Sequence, residues 1–178
     1  MGDKAGYMEI DEKVNRELLE FLDSSPTSFH AVANMKAMLE QAGFKRLLEG
    51  QAWTLEGGAG YYVTRNDSAL IAFRIPDREF TGFQIMASHS DSPALKIKDN
   101  AEIEVEKRYV KLNVERYGGL LCAPWMDRPL SVAGRVVVRT GNGVATRLVN
   151  VDRDLLIIPG LAIHMNRKAN EGYEFNMQ

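Results

Sequence analysis

The sequence predicts an α/β protein in two parts: helices with mixed strands up to about Pro93, then a strand-dominated remainder. Three observations carry that prediction. Apolar residues recur at helical spacing twice before Gly43, and period-two alternation takes over after Pro93. Between them lies a short, mainly apolar run that ends in a polar cluster.

Residues 10–24 read as the first helix. Val14, Leu18, Phe21 and Leu22 recur at helical spacing, with Asp11, Glu12 and Glu17 early in the segment. Ser24-Ser25-Pro26 ends it. Thr27 or Ser28 caps a second helix over roughly 29–41, with Val32, Met35, Met38 and Leu39 as its apolar face and Gly43 just past its end. Gly57-Gly58-Ala59-Gly60 is a turn, and residues 61–65 and 69–74 flank Asn66-Asp67-Ser68 as a hairpin. Residues 83–87 are a compact apolar strand running into Ser88-His89-Ser90-Asp91-Ser92-Pro93. Beyond it Leu95, Ile97, Ile103 and Val105 alternate with charged residues, as do Val110, Leu112 and Val114. Val132, Val136 and Val138 continue the pattern up to a Gly141-Asn142-Gly143 turn. There is no internal repeat and no low-complexity linker, so the division is drawn at residues 1–93 and 94–178.

Composition narrows the function. The 178 residues suffice for one ordinary domain or two partial ones. Hydrophobic residues at 45% and charged residues at 26% are globular proportions. The 22 Lys and Arg against 24 Asp and Glu leave a formal charge of −2, which offers no basic field to nucleic acid or anionic lipid. No apolar run approaches bilayer length. The first residues lack a signal-peptide core, and Gly6 stands where a myristoylation signal wants Ser or Thr. Cys122 is the single cysteine, so an internal disulfide is impossible and a cytoplasmic location is expected.

The segment 86–93 carries the chemistry. In open α/β sheets, ligands gather at the carboxyl ends of strands. A histidine there can bind a metal through one ring nitrogen while a carboxylate fixes the other. His89 and Asp91 share one face if the chain stays extended between them. Taken alone, a His at a strand end is more often a structural hydrogen bonder. His30, in the first turn of the second helix, reads as a capping or packing residue, and His164 as a buried or interfacial one. There is no Gly-x-Ser-x-Gly elbow, no phosphate loop after Gly57, Gly58 and Gly60, and no Cys-x-x-Cys, so Cys122 reads as a buried inert thiol.

Several segments then converge. Ser25-Pro26-Thr27-Ser28-Phe29-His30-Ala31-Val32 resembles the SPTPFHA stretch of M18-family metallo-aminopeptidases, the aspartyl aminopeptidase type. Tyr61-Tyr62-Val63-Thr64-Arg65-Asn66 resembles the strand that follows, and Ser88 to Pro93 resembles the HTDSP motif. Tyr117-Gly118-Gly119 with Ala123-Pro124-Trp125-Met126-Asp127-Arg128 is similar to YGG…PWFDR, and Ser131-Val132-Ala133-Gly134-Arg135-Val136 to SLAGRV. Ile158-Pro159-Gly160-Leu161-Ala162-Ile163-His164-Met165-Asn166-Arg167 is similar to IPxLAIHLNR, and Asn170-Glu171-Gly172 follows. The segments stand in family order over nearly the whole chain. Ser90 replaces Thr, Ala94 stands where Cys is common, Met126 replaces Phe and Pro129 replaces an Asp.

The resemblance implies a zinc-peptidase mixed-sheet catalytic domain, of which residues 1–93 are the N-terminal part. Residues 94–178 are then part of an inserted β-rich dimerisation domain. It implies release of N-terminal Asp or Glu from peptide substrates by a two-zinc site with a Glu as general base, in a homo-oligomer. His89 becomes a metal ligand, Asp91 its orienting partner, and His164 a metal residue or a group presented to a neighbouring subunit's site. The other ligands and the base are expected beyond residue 178, so this chain alone is expected to be an inactive fragment. A relative with neutral specificity, or a non-catalytic assembly module, are the alternative readings.

Overall fold

The computed structural model describes residues 4–172 and 175. Helices α1 (Lys4–Asp23) and α2 (Ser28–Gln41) come first, followed by strands β1 (Lys45–Arg46), β2 (Gly60–Arg65) and β3 (Ala69–Arg74). Two longer hairpins follow, β4 (Ala94–Val105) with β5 (Tyr109–Tyr117), and β6 (Ala133–Thr140) with β7 (Gly143–Asn150). The chain divides into two compact units, Met1–Asp91 with Ala133–Asn150, and Ser92–Val132 with Val151–Gln178.

In the first unit, α2 begins where expected. Thr27 is extended at φ −140°, and its hydroxyl accepts the His30 amide at 3.4 Å and meets His30 Nδ1 at 2.8 Å. Gly43 follows the helix at φ +79°, a left-handed geometry that costs glycine least. The Asn34 side chain holds the α1–α2 turn, donating to Ser24 O at 2.9 Å and to the Ser24 and Ser25 hydroxyls at 3.0 Å. The sheet order is β1-β2-β3, with β2 in the middle, parallel to β1 and antiparallel to β3. Asn66 and Asp67, both at positive φ, turn β2 into β3, with the Ser68 amide donating to Arg65 O.

The core lies where α2 meets β2: Ala31, Val32, Tyr61, Tyr62 and Val63 are buried. Each buried tyrosine hydroxyl is satisfied, Tyr61 accepting the Glu56 amide at 2.8 Å and Tyr62 donating to the Glu40 carboxylate. Burial and that carboxylate raise the Tyr62 phenol to about 12.

Three findings depart from the sequence pattern. In the α1 stripe Phe21 is half-buried, but Val14, Leu18 and Leu22 are over half exposed, so the described residues cover it only in part. Residues 83–87 form no ladder with any described strand, and Phe83, Ile85 and Met86 are 79%, 82% and 93% exposed. Phe83, Ile85 and Ala87 alternate as one apolar face, which suits a strand packed in a sheet, and no described strand pairs with it. Finally, the β6–β7 hairpin groups with the first unit, although its sequence reads like the β-rich remainder. Arg135 on β6 explains this. Its guanidinium lies 4.0 Å from the Phe29 ring centroid and donates to Asn66 O at 2.7 Å and Asn66 Oδ1 at 3.1 Å.

In the second unit, β4 and β5 pair from Ala94↔Tyr117 to Val105↔Tyr109, but the register shifts between Ile97 and Glu102. Ile97 faces Val114 and Glu102 faces Leu112, so β4 carries three extra residues. An odd insertion inverts the pleat, and Ile103 and Val105 therefore face opposite to Leu95 and Ile97. After a short 3₁₀ turn at Ala123–Trp125, the chain pairs with a later segment through a bridge between Leu130 and Leu156.

Candidate metal centre

His89 and Asp91 come together in the first unit. His89 Nδ1 lies 2.8 Å from the Asp91 carbonyl oxygen and 3.3 Å from its carboxylate Oδ1. Ser90 is anchored separately, its hydroxyl donating to Ser68 O at 3.1 Å. A carbonyl oxygen only accepts, so Nδ1 carries the proton in the neutral ring. The lone pair then sits on Nε2, the atom suited to a divalent cation. The imidazole is 82% exposed on its side chain and the Asp91 side chain 46%, so the pair is open to solvent.

The remaining candidates lie elsewhere. His164 belongs to the second unit, exposed at the centre of a tight turn where Ala162 O accepts the Met165 amide at 2.8 Å and the Asn166 amide at 3.2 Å. Of the two readings its sequence context allows, buried or interfacial, exposure removes the buried one. His30 keeps its capping role, and burial lowers its pKa. Cys122 is half-buried rather than buried. Among the described residues, no three His, Cys, Asp or Glu side chains converge as a metal group. The donor set fits a divalent metal in kind, a neutral imidazole backed by a carboxylate, and amounts to one ligand. Among the described residues no helix is long and apolar enough to cross a membrane.

Two features escaped the sequence. Arg135 fastens β6 to Phe29 and Asn66 across more than a hundred residues of sequence from the former, and only a contact shows it. Asp127 stands at φ +55°, and its carboxylate accepts the Gly160 amide at 2.6 Å. A non-glycine residue in the left-handed region is a local signal, but no sequence pattern announces it at Asp-Arg-Pro.

Comparison with known proteins defines the class. Residues 21–178 match the family described as Aminopeptidase I zinc metalloprotease (M18), and the chain belongs to that family. A Clostridium novyi protein named probable M18 family aminopeptidase 2 is 48% identical over 170 residues, covering 93% of this chain and 39% of that protein. A Pseudomonas aeruginosa protein of the same name is 49% identical over 168 residues, again 93% of this chain and 39% of its own length. The chain thus spans about two fifths of the curated relatives it matches. Among solved structures, the Ape4 and Nbr1 complex superposes with a TM-score of 0.86 at 42% identity, over 91% of this chain and 32% of that one. Chaetomium thermophilum mApe1 gives 0.82 at 34% identity, over 87% and 36%. The mApe1 dodecamer of S. cerevisiae gives 0.75 at 26%, over 86% and 37%.

Proposed function

We propose that the polypeptide carrying this chain is a zinc-dependent aminopeptidase that removes N-terminal residues, acidic ones preferentially, from peptides. The observation that carries the reading is the His89–Asp91 pair. Its geometry leaves Nε2 as a lone-pair donor, and the pair lies inside a motif similar to HTDSP in a chain of this family. In its role, His89 donates one bond to zinc and Asp91 holds the ring against rotation, raising its basicity. Bound zinc, as a pair of ions in this reading, lowers the pKa of the attacking water and polarises the scissile carbonyl.

A catalytic zinc takes about three protein ligands and an open position. His89 supplies one. The other ligands and the general base belong to further parts of the polypeptide, and residues 1–178 by themselves are inactive in this reading. We assign His164 to substrate contact in a neighbouring copy, because its imidazole stands exposed on a turn of the second unit. Residues 1–93 then serve the catalytic domain and residues 94–178 contribute the dimerisation domain of a cytoplasmic homo-oligomer, with the hairpin at 133–150 packed on the first unit. Support for acidic preference is the motif resemblance to the aspartyl aminopeptidase type.

The test is hydrolysis of Asp-, Glu- and Leu-p-nitroanilide by the purified polypeptide, with and without a chelator. Chelator-sensitive release from Asp or Glu is expected. Faster release from Leu would replace the acidic preference by a neutral one, and undiminished release after complete metal removal would sink the zinc mechanism. His164→Phe with normal zinc content and reduced turnover supports substrate contact, whereas loss of zinc makes it a ligand.

A further inference from the structure

We infer that Asp127 is a positioning residue for His164, acting through a clamp on Gly160. This rests on the proposed role of His164. The loop at Asp127 and the segment ahead of His164 are tied by several hydrogen bonds within the second unit. Leu130 N–H donates to Leu156 O at 2.9 Å, and Leu155 and Leu156 each donate to Leu130 O at 3.0 Å. Asp127 N–H donates to Ile158 O at 2.9 Å, and the Gly160 amide donates to Asp127 Oδ1 at 2.6 Å. Gly160 lies two residues before Ala162, whose carbonyl closes the turn that carries His164.

The two clamp residues are matched. A Cβ on residue 160 would lie 2.5 Å from Asp127 Oδ2, so a side chain there would push the carboxylate from its present place on the amide. Asp127 in turn holds the left-handed conformation at φ +55°, which bends the loop so that its own amide and its carboxylate both face the 158–160 segment. Leu161, Ile163 and Met165 beyond the clamp are exposed, so apolar packing within the unit does little to fix this loop. A charged acceptor on one amide, backed by a backbone bond to the neighbouring carbonyl, is what sets where the turn begins. An imidazole that must meet a substrate tolerates little drift, since a shift of about 1 Å can cost about a hundredfold in rate.

The experiment uses the polypeptide carrying this sequence, with Asp127→Gly, Asp127→Asn and His164→Phe alone and combined. Glycine accepts the left-handed φ and removes the carboxylate; asparagine keeps an acceptor oxygen and tolerates that φ. The expected result is a kcat loss of about ten- to a hundredfold for Asp127→Gly, most of it recovered in Asp127→Asn. In the His164→Phe background Asp127→Gly should cost less than about twofold, because both act through one group. Full multiplicative loss in that background, or Asn no better than Gly, overturns the inference. Amide exchange reads the clamp without activity: Gly160 should be protected, and released by Asp127→Gly but not by Asp127→Asn. An unprotected Gly160 in the unsubstituted protein overturns the clamp. A protected Gly160 in a polypeptide that releases no N-terminal residue overturns the aminopeptidase reading and the role of Asp127 in it.

Discussion

Replacing Arg135 by alanine should destabilise the first unit by about 1.5–3 kcal/mol, because one side chain makes three contacts. Its guanidinium sits 4.0 Å from the centre of Phe29 and donates at 2.7 and 3.1 Å to the two oxygens of Asn66. An exposed cation–π contact is worth about 0.5–1 kcal/mol. A hydrogen bond from a charged donor is worth about 1.5–3 kcal/mol when buried, and solvent around the exposed Asn66 takes that towards the lower end. For a chain of this size the loss corresponds to a fall in Tm of roughly 3–12 °C. Thermal unfolding followed by circular dichroism measures it. Arg135→Lys keeps the charge without the planar fork and should recover less than half of the loss. In a double-mutant cycle with Phe29→Leu, a coupling of about 0.5–1 kcal/mol isolates the stacking contribution. Alanine within about 1 °C of the parent Tm, with no coupling to Phe29, would refute the anchoring role of Arg135.

Two further predictions concern the core of the same unit. Tyr62 is an acid kept protonated by burial and by its bond to Glu40, so between pH 10 and about 12 the unfolded chain loses this proton while the folded chain keeps it. Stability should therefore be full below pH 10 and fall as pH rises towards 12, a slope that Tyr62→Phe removes in a pH series of urea unfolding curves. Gly60→Ala places a methyl group 2.8–2.9 Å from the Phe44 ring, which Arg74 also covers at 5.2 Å. The overpacking should cost about 1–3 kcal/mol in the same assay, with a neutral result showing that the ring moves freely.

Local rules made the helices and turns legible. Thr27, Gly43, Asn66-Asp67 and Gly141-Asn142 act on backbone within a few residues of themselves, and each turn or cap forms where its residues stand. Periodicity was less reliable where the ladder is irregular. The alternation of Leu95, Ile97, Ile103 and Val105 implies one face, but the three-residue insertion before Glu102 divides them between two. Where apolar pattern depends on a distant surface, as at Val14, Leu18, Phe83 and Ile85, sequence shows the face and not its partner. The candidate site follows the same division. His89 and Asp91 meet because they are only two residues apart. The Arg135–Phe29 and Asp127–Gly160 contacts join residues far apart in sequence, and they emerge only from the folded structure.

Zinc content is the most direct measurement. The polypeptide carrying this sequence, and its His89→Ala variant, are freed of loosely held metal, and bound zinc per chain is determined by elemental mass spectrometry. The parent should hold zinc stoichiometrically, and His89→Ala should lose bound zinc together with Asp-p-nitroanilide hydrolysis while keeping its Tm. Undiminished zinc and undiminished hydrolysis in His89→Ala would contradict the assignment of His89 Nε2 as a metal ligand.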